Sequence, residues 1–326
     1  MASLKQSKHL KIFEIDEGAI IYNKRTKKTC KLGKNEYLIF KEIDGRNTLA
    51  DIVDRYGLNM SDMDKLLCLF EKYKLFEENE REYYEKKGKM FFSKRGLLYN
   101  DHFLDVFSCD ILKFIFNVVS IISIPLLIVC IVYMRGRIEV EQIISNVNIL
   151  HILLMDLLLA ISVSLHEFAH AICAKNNGAF VGEIGVKFDF FVPSAYTTLC
   201  GIDEIRSKYK KIQIFGGGMA INALIATGSL YMLSFPAFEN NLIVFMLFSV
   251  NVCLIIVNCI TAVKSDLYYV LVHILNEPNL KEDTIQIFKG EKRITWRRFV
   301  YIVVSYVFEP IVIISLLFIA LKKIGG

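Results

Sequence analysis

Three residues within five positions, His166, Glu167 and His170, are the part of this sequence best equipped for chemistry. They lie in an apolar run that predicts a helix, and positions i and i+4 of a helix share a face. Two imidazoles on one face can donate to a single cation, with Zn2+ the expected metal. Glu167, next to the first, can take a proton from water that the cation acidifies toward a pKa of about 7. With three fixed positions, this pattern arises by chance in about one per cent of such chains, so its context has to decide. Ionisable groups inside an apolar crossing segment are costly, and for that reason they usually mark function.

A catalytic zinc wants a third protein ligand as well as water. Among the other histidines, His9 and His102 lie in soluble or juxtamembrane sequence. His151 is about four helical turns from the pair on the same segment, and His273 lies beyond the fourth apolar segment. Asp266 is better placed. It directly follows that fourth segment, and the segment carrying His170 ends on the same side, so the carboxylate and the imidazoles reach similar depth. Glu309, next to Pro310, reads as a kink with a local partner, the alternative being a place along a substrate path. Asn251 reads as a hydrogen bond between helices.

The elements that must hold these groups fall into two parts. Residues 1–95 read as a small α+β cytoplasmic domain and tether, and residues 96–326 as the membrane part. Ile12 to Tyr22 is strand-like, and Thr26 to Thr29 is a polar turn. Helical spacing begins near Asn35. Thr48 caps a helix over Leu49–Tyr56 that Gly57 stops, and Ser61 opens another with Leu66, Leu67, Phe70 and Tyr73 on its apolar face. Short helices beside strands suggest a winged-helix-like module, followed by a charged tether from about residue 78.

Five apolar segments follow, at about 111–134, 149–173, 212–233, 241–263 and 299–321, each near the roughly 20 residues that cross a bilayer. The fold class expected is therefore an α-helical polytopic membrane protein. Residues 179–201 are apolar but interrupted by Gly182, Gly185, Asp189 and Pro193, which fits a membrane-associated β-hairpin or a re-entrant loop better than a crossing helix.

Composition agrees. At 326 residues and 54% hydrophobic content, with a mean hydropathy of +0.40, the chain is too apolar for an ordinary soluble domain. Residues 1–98 hold 21 Lys and Arg against 16 Asp and Glu, whereas residues 99–326 hold 18 of each. The excess of positive charge is N-terminal and suits the cytoplasmic face of a membrane, a domain receiving an acidic ligand, or simply a soluble surface. Basic residues also crowd the connections after the second and fourth segments, and the positive-inside rule puts these in the cytoplasm with the N-terminal domain. No cleavable signal peptide and no nucleic-acid partner are expected. The eight cysteines form no C-x-x-C pair and read as reduced, buried side chains.

His166-Glu167-x-x-His170 in a membrane helix, followed by Asn258-Cys-Ile-Thr-Ala-Val-Lys-Ser-Asp266, resembles the site-2 protease family of intramembrane zinc metalloproteases. The resemblance spans roughly residues 149–275. It implies that Asp266 is the third zinc ligand and that Asn258 helps hold the substrate strand. Gly218-Met219-Ala220-Ile221-Asn222 resembles that family's small-residue element, which makes Asn222 a second substrate-binding candidate. The hairpin resembles the family's membrane-dipping hairpin. Thr261, Leu267 and Met219 depart from the pattern, standing where the family has proline, glycine and proline. The N-terminal Leu32-Gly33-x-x-Glu36, Ile43-Asp44-Gly45 and Thr48-x-x-Asp51-Ile52 resemble the PqqD-like recognition domain, which implies a precursor peptide paired to an edge strand.

The function expected is cleavage of a small peptide precursor, one made on the ribosome and then modified, near the cytoplasmic leaflet. The alternatives are cleavage of a membrane-anchored regulator or signal peptide, and a non-catalytic export or immunity protein keeping a relict zinc site.

Overall fold

The computed structural model describes residues 5–45, 47–77, 95–97, 110–134, 143, 148–189 and 192–312. The chain divides into two compact units. One comprises Met1–Tyr99, Ala179–Pro193 and Thr197–Glu204; the other comprises Asn100–Gly178, Ser194–Tyr196 and Ile205–Gly326.

In the first unit, β1 (Leu10–Ile15), β2 (Gly18–Asn23) and β3 (Lys28–Gly33) form an antiparallel meander. The single strand-like run expected over 12–22 is thus two strands folded back at Asp16 and Glu17. Gly18 makes this possible: its φ is 143°, and a Cβ there would stand 2.1 Å from the Leu32 carbonyl oxygen. Three helices follow, α1 (Lys34–Glu42), α2 (Leu49–Tyr56) and α3 (Met60–Lys72). Thr48 caps α2 through the Asp51 amide, and Gly57 ends it with φ 61°, as the sequence predicts. The cap of α3 is Asn59, two residues before the expected Ser61.

β2 is buried along its whole length because both of its faces are covered. Ala19 and Ile21 join Leu32, Phe40, Ile52, Met63, Phe70 and Phe76 in the core beneath the helices. Ile20 and Tyr22 face the other way, onto Cys200, Phe180, Phe13 and Ile15. Of these, Phe180 and Cys200 belong to the hairpin of β5 (Phe180–Asp189) and β6 (Val192–Cys200), with β4 (Arg95–Leu97) pairing antiparallel to β5. Phe13 stacks on Phe180 at 4.6 Å between ring centroids. The Lys11 ammonium donates to the Val181 carbonyl at 3.0 Å, and Lys27 pairs with the buried Glu183.

This changes the expected division at residues 95 and 96. The base of the hairpin packs with the N-terminal sheet, and the end of the expected tether is a strand; residues 78–94 lie outside the described chain. The sequence pattern hid this because a hairpin with mixed polarity fits a membrane surface or a second sheet equally well. Thr29 Oγ1 lies 3.7 Å from Cys200 Sγ, so a Thr29→Cys substitution is expected to form a disulfide with Cys200 on mild oxidation. Cleavage within residues 78–94 would then leave the fragments joined on a non-reducing gel. Two freely alkylated thiols would contradict the docked hairpin. Burial meanwhile pushes the native Cys30 thiol up to about 11, which keeps it protonated and unreactive at neutral pH.

The second unit is helical: α4 (Asp110–Met134), α5 (Ile149–Asn176), α6 (Lys208–Met232), α7 (Leu242–Asn258), α8 (Asp266–Leu275), α9 (Leu280–Phe288) and α10 (Trp296–Ile302). α4, α5 and α6 are long and apolar enough to cross a membrane. α6 packs against α4, α5, α7 and α8. Its apolar window is 61% buried, against 11% for α4 and for α5, which makes α6 the central helix. Gly217 lets it approach α5 closely, since a Cβ there would come within 2.7 Å of Cys173 Sγ. Asn251 donates to Ser162 across α7 and α5, the interhelical bond expected of it. α7 ends at Asn258 rather than near 263, because the chain from Cys259 to Ser265 leaves helical geometry.

Candidate metal centre

The histidine pair sits on the buried face of the last third of α5, and both imidazoles are nearly inaccessible to solvent. Asp266 is the first residue of α8, a helix that packs against α6. Ser265 caps that helix through the Tyr268 amide, and the positive end of its dipole favours a carboxylate there. On α8, Tyr268 and Val272 are buried in one apolar cluster with Leu280 and Tyr301.

The three donors converge. Asp266 Oδ2 lies 2.9 Å from His166 Nε2 and 3.2 Å from His170 Nε2, and the two imidazole nitrogens are 3.1 Å apart. Among the described residues these three side chains form the one group of metal-ligating type whose donor atoms converge, all within 4.8 Å of one another. Ligands bonded to zinc at about 2.0–2.2 Å in a tetrahedral arrangement lie roughly 3.3 Å apart. The observed spacings are close to that edge length, and two nitrogens with one carboxylate oxygen is a donor set suited to zinc.

The surroundings set the protonation of the ligands. His170 Nδ1 lies 2.7 Å from the Ile214 carbonyl oxygen. A carbonyl can only accept, so Nδ1 carries the hydrogen and Nε2 turns its lone pair toward the other donors. His166 Nδ1 lies 2.9 Å from the amide of Asn222, which is completely buried on α6. Gly218 leaves the volume in front of both Nε2 atoms clear. A Cβ on that residue would stand 2.4 Å from His166 Nε2 and 2.5 Å from His170 Nε2. Glu167 is half-buried beside the pair.

Sequence reasoning named His166, His170 and Asp266, and the structure brings them together. It puts Asn222 against His166. Asn258 is the last residue of α7, with its side-chain amide donating back to the Leu254 carbonyl at 3.0 Å. His273 stacks on Phe215 at 5.4 Å and is not among the converging donors. The contribution of the Ile214 carbonyl had no sequence signal, since every residue has a carbonyl. That of Gly218 had one, the Gly216-Gly217-Gly218 run inside an otherwise apolar helix. Asn222→Ala is expected to lower zinc affinity by about 10- to 100-fold, as losing an orienting partner does. Competition with a chromogenic chelator measures this, and unchanged affinity would leave Asn222 without a part in the centre.

No protein-family model, no curated protein and no solved structure matches this chain.

Proposed function

We propose that this chain is an intramembrane zinc endopeptidase that cleaves a small peptide precursor near the cytoplasmic leaflet. The observation carrying the proposal is the meeting of His166, His170 and Asp266 beside Glu167, on a helix long and apolar enough to cross a membrane. His166 and His170 would hold the ion through Nε2, and Asp266 through Oδ2. A divalent ion held there supplies Lewis acidity, which makes water a better nucleophile and polarises a peptide carbonyl. Glu167 accepts the proton of the attacking water and returns it to the departing amide nitrogen. Ile214 and Asn222 keep the imidazoles oriented through the cycle. Asn258 is kept as the residue that contacts the substrate strand.

The resemblance to the site-2 protease family supports the same reading. Its departures at Thr261, Leu267 and Met219 coexist with an Asp266 carboxylate 2.9 Å from His166. That favours a working centre over a relict one. In the proposed topology α7 and the segment around 299–321 complete five crossings, with the basic connections and the N-terminal domain in the cytoplasm.

The winged-helix-like N-terminal domain is proposed to take up the precursor's leader as an added strand on β3, an outer strand of the meander. The test is mass spectrometry of a candidate peptide precursor, incubated with the intact protein and with His166→Ala. Cleavage by the first and not the second supports the proposal. Identical products from both would end it. Cleavage of a membrane-anchored regulator instead would keep the chemistry and change the substrate.

A further inference from the structure

Asp266 reaches the histidines from a stretch of chain, Cys259 to Ser265, that is neither helix nor strand. Backbone of this kind, packed in an apolar helical unit, must have its amides and carbonyls satisfied by protein or water. Most of the help comes from one carboxylate. Glu309 accepts from the Thr261 amide at 2.8 Å, from the Thr261 hydroxyl, and from the Ala262 amide at 3.3 Å. Because the Thr261 hydroxyl donates to that carboxylate, it accepts in turn from the Ser305 hydroxyl at 2.6 Å. The Tyr301 hydroxyl donates to the Thr261 carbonyl at 2.9 Å. Thr261 and Ser305 are both buried.

The segment that supplies these groups is itself unusual. Val303–Phe308 is wound as a π-helix, with the Glu309 amide bonded to the Val304 carbonyl. Pro310 follows, with no N–H and a ring that would clash with a carbonyl one α-turn earlier. Widened turns of this kind are rare and frequently sit at functional sites. Here the widening lies between Tyr301 and Glu309 and accompanies three side chains, Tyr301, Ser305 and Glu309, reaching one point of the opposite chain. An acid in this apolar segment is costly, and three bonds donated by the Thr261–Ala262 stretch offset that cost.

We propose that Glu309 is a positioning residue for the metal centre: it locks the Thr261–Ala262 turn, and through the next four residues fixes where Asp266 Oδ2 stands. The proposal rests on reading His166, His170 and Asp266 as a metal centre. It also accounts for Thr261. A proline at that position has no N–H for Glu309, so threonine and glutamate act here as a matched pair.

The experiment uses the full-length protein in detergent, loaded with Zn2+ for affinity and with Co2+ for its visible absorption spectrum. Glu309→Gln keeps size and shape but turns an amide NH2 toward a backbone N–H. It is expected to lower zinc affinity by about 10- to 100-fold and to change the cobalt bands as carboxylate ligation is lost. Glu309→Asp keeps the charge at shorter reach and is expected to restore part of both. Should Glu309→Gln not fold, Thr261→Val, which removes the hydroxyl link alone, is read in the same way. A Glu309→Gln protein with lower thermal stability but unchanged zinc affinity and cobalt spectrum would make Glu309 merely structural and overturn the proposal. Wild-type protein that binds neither metal would instead overturn the metal centre itself.

Discussion

If the chain is the zinc peptidase proposed, Glu167→Gln is expected to keep the native zinc content while cleaving a precursor about 100- to 10,000-fold more slowly. The substitution is nearly isosteric, so packing on α5 should persist, and Glu167 is not one of the three converging donors. What is lost is a base. Glu167 follows His166 directly and precedes His170 by three positions, so in a helix it flanks the imidazole face without sharing it. Glu167 is half-buried there. Such a group can exchange a proton with water at the centre, whereas a glutamine cannot. The loss should therefore appear in kcat, with KM little changed. Zinc per chain and precursor cleavage are measured on the same preparation. A variant that cleaves normally would remove Glu167 as the base, and one that loses zinc would give it a structural task.

If the proposed centre holds zinc, Gly218→Ala is expected to lower it from about one ion per chain to nearly none. In the interior of an exposed helix the same change would stabilise by roughly 0.5–1 kcal/mol. Here the added methyl meets both ligand nitrogens at 2.4–2.5 Å, closer than real Cβ contacts come. Relief would require α6 to move, yet α6 packs against α4, α5, α7 and α8. The alternative is for the imidazoles to turn, which breaks the bonds to Ile214 and Asn222. Overpacking of this kind costs on the order of 1–3 kcal/mol, and the methyl occupies space the cation needs. Gly216→Ala is the control, because a Cβ there meets nothing within 4 Å. Elemental analysis of both variants checks the prediction. Full zinc in Gly218→Ala would mean that the ion lies elsewhere.

Much of the centre was legible before any fold was known, for reasons that can be named. A helical period puts His166 and His170 on one face, and the apolar character of the run makes their presence there expensive. Asp266 was reachable because two apolar segments ending on the same side bring their ends to one depth. The helix boundaries around Thr48 and Gly57 followed from local capping chemistry, which involves residues three or four apart. Resemblance went further, joining Asn222 and Asn258 as substrate contacts. The contact between the Asn222 amide and His166 Nδ1 places Asn222 beside a ligand.

What stayed hidden has a common cause. Glu309 is 48 positions from Thr261, and no periodicity links an acid in one segment to a backbone amide in another. The expectation that Glu309 finds a local partner fails for that reason: its bonds to Thr261 and Ala262 run to a different part of the chain. Likewise Cys200 and Phe180 meet β2 across more than 150 residues, and a hairpin of mixed polarity does not announce which surface will cover it. The sequence by itself determined the ligand types, their helical spacing, the apolar segments and the caps, since each depends on neighbours along the chain. The tertiary structure decided that the donors converge, that Gly218 keeps their space open, that Ile214 sets the His170 tautomer, and that Glu309 holds the turn before Asp266. Those are contacts between distant segments, and packing alone chooses them.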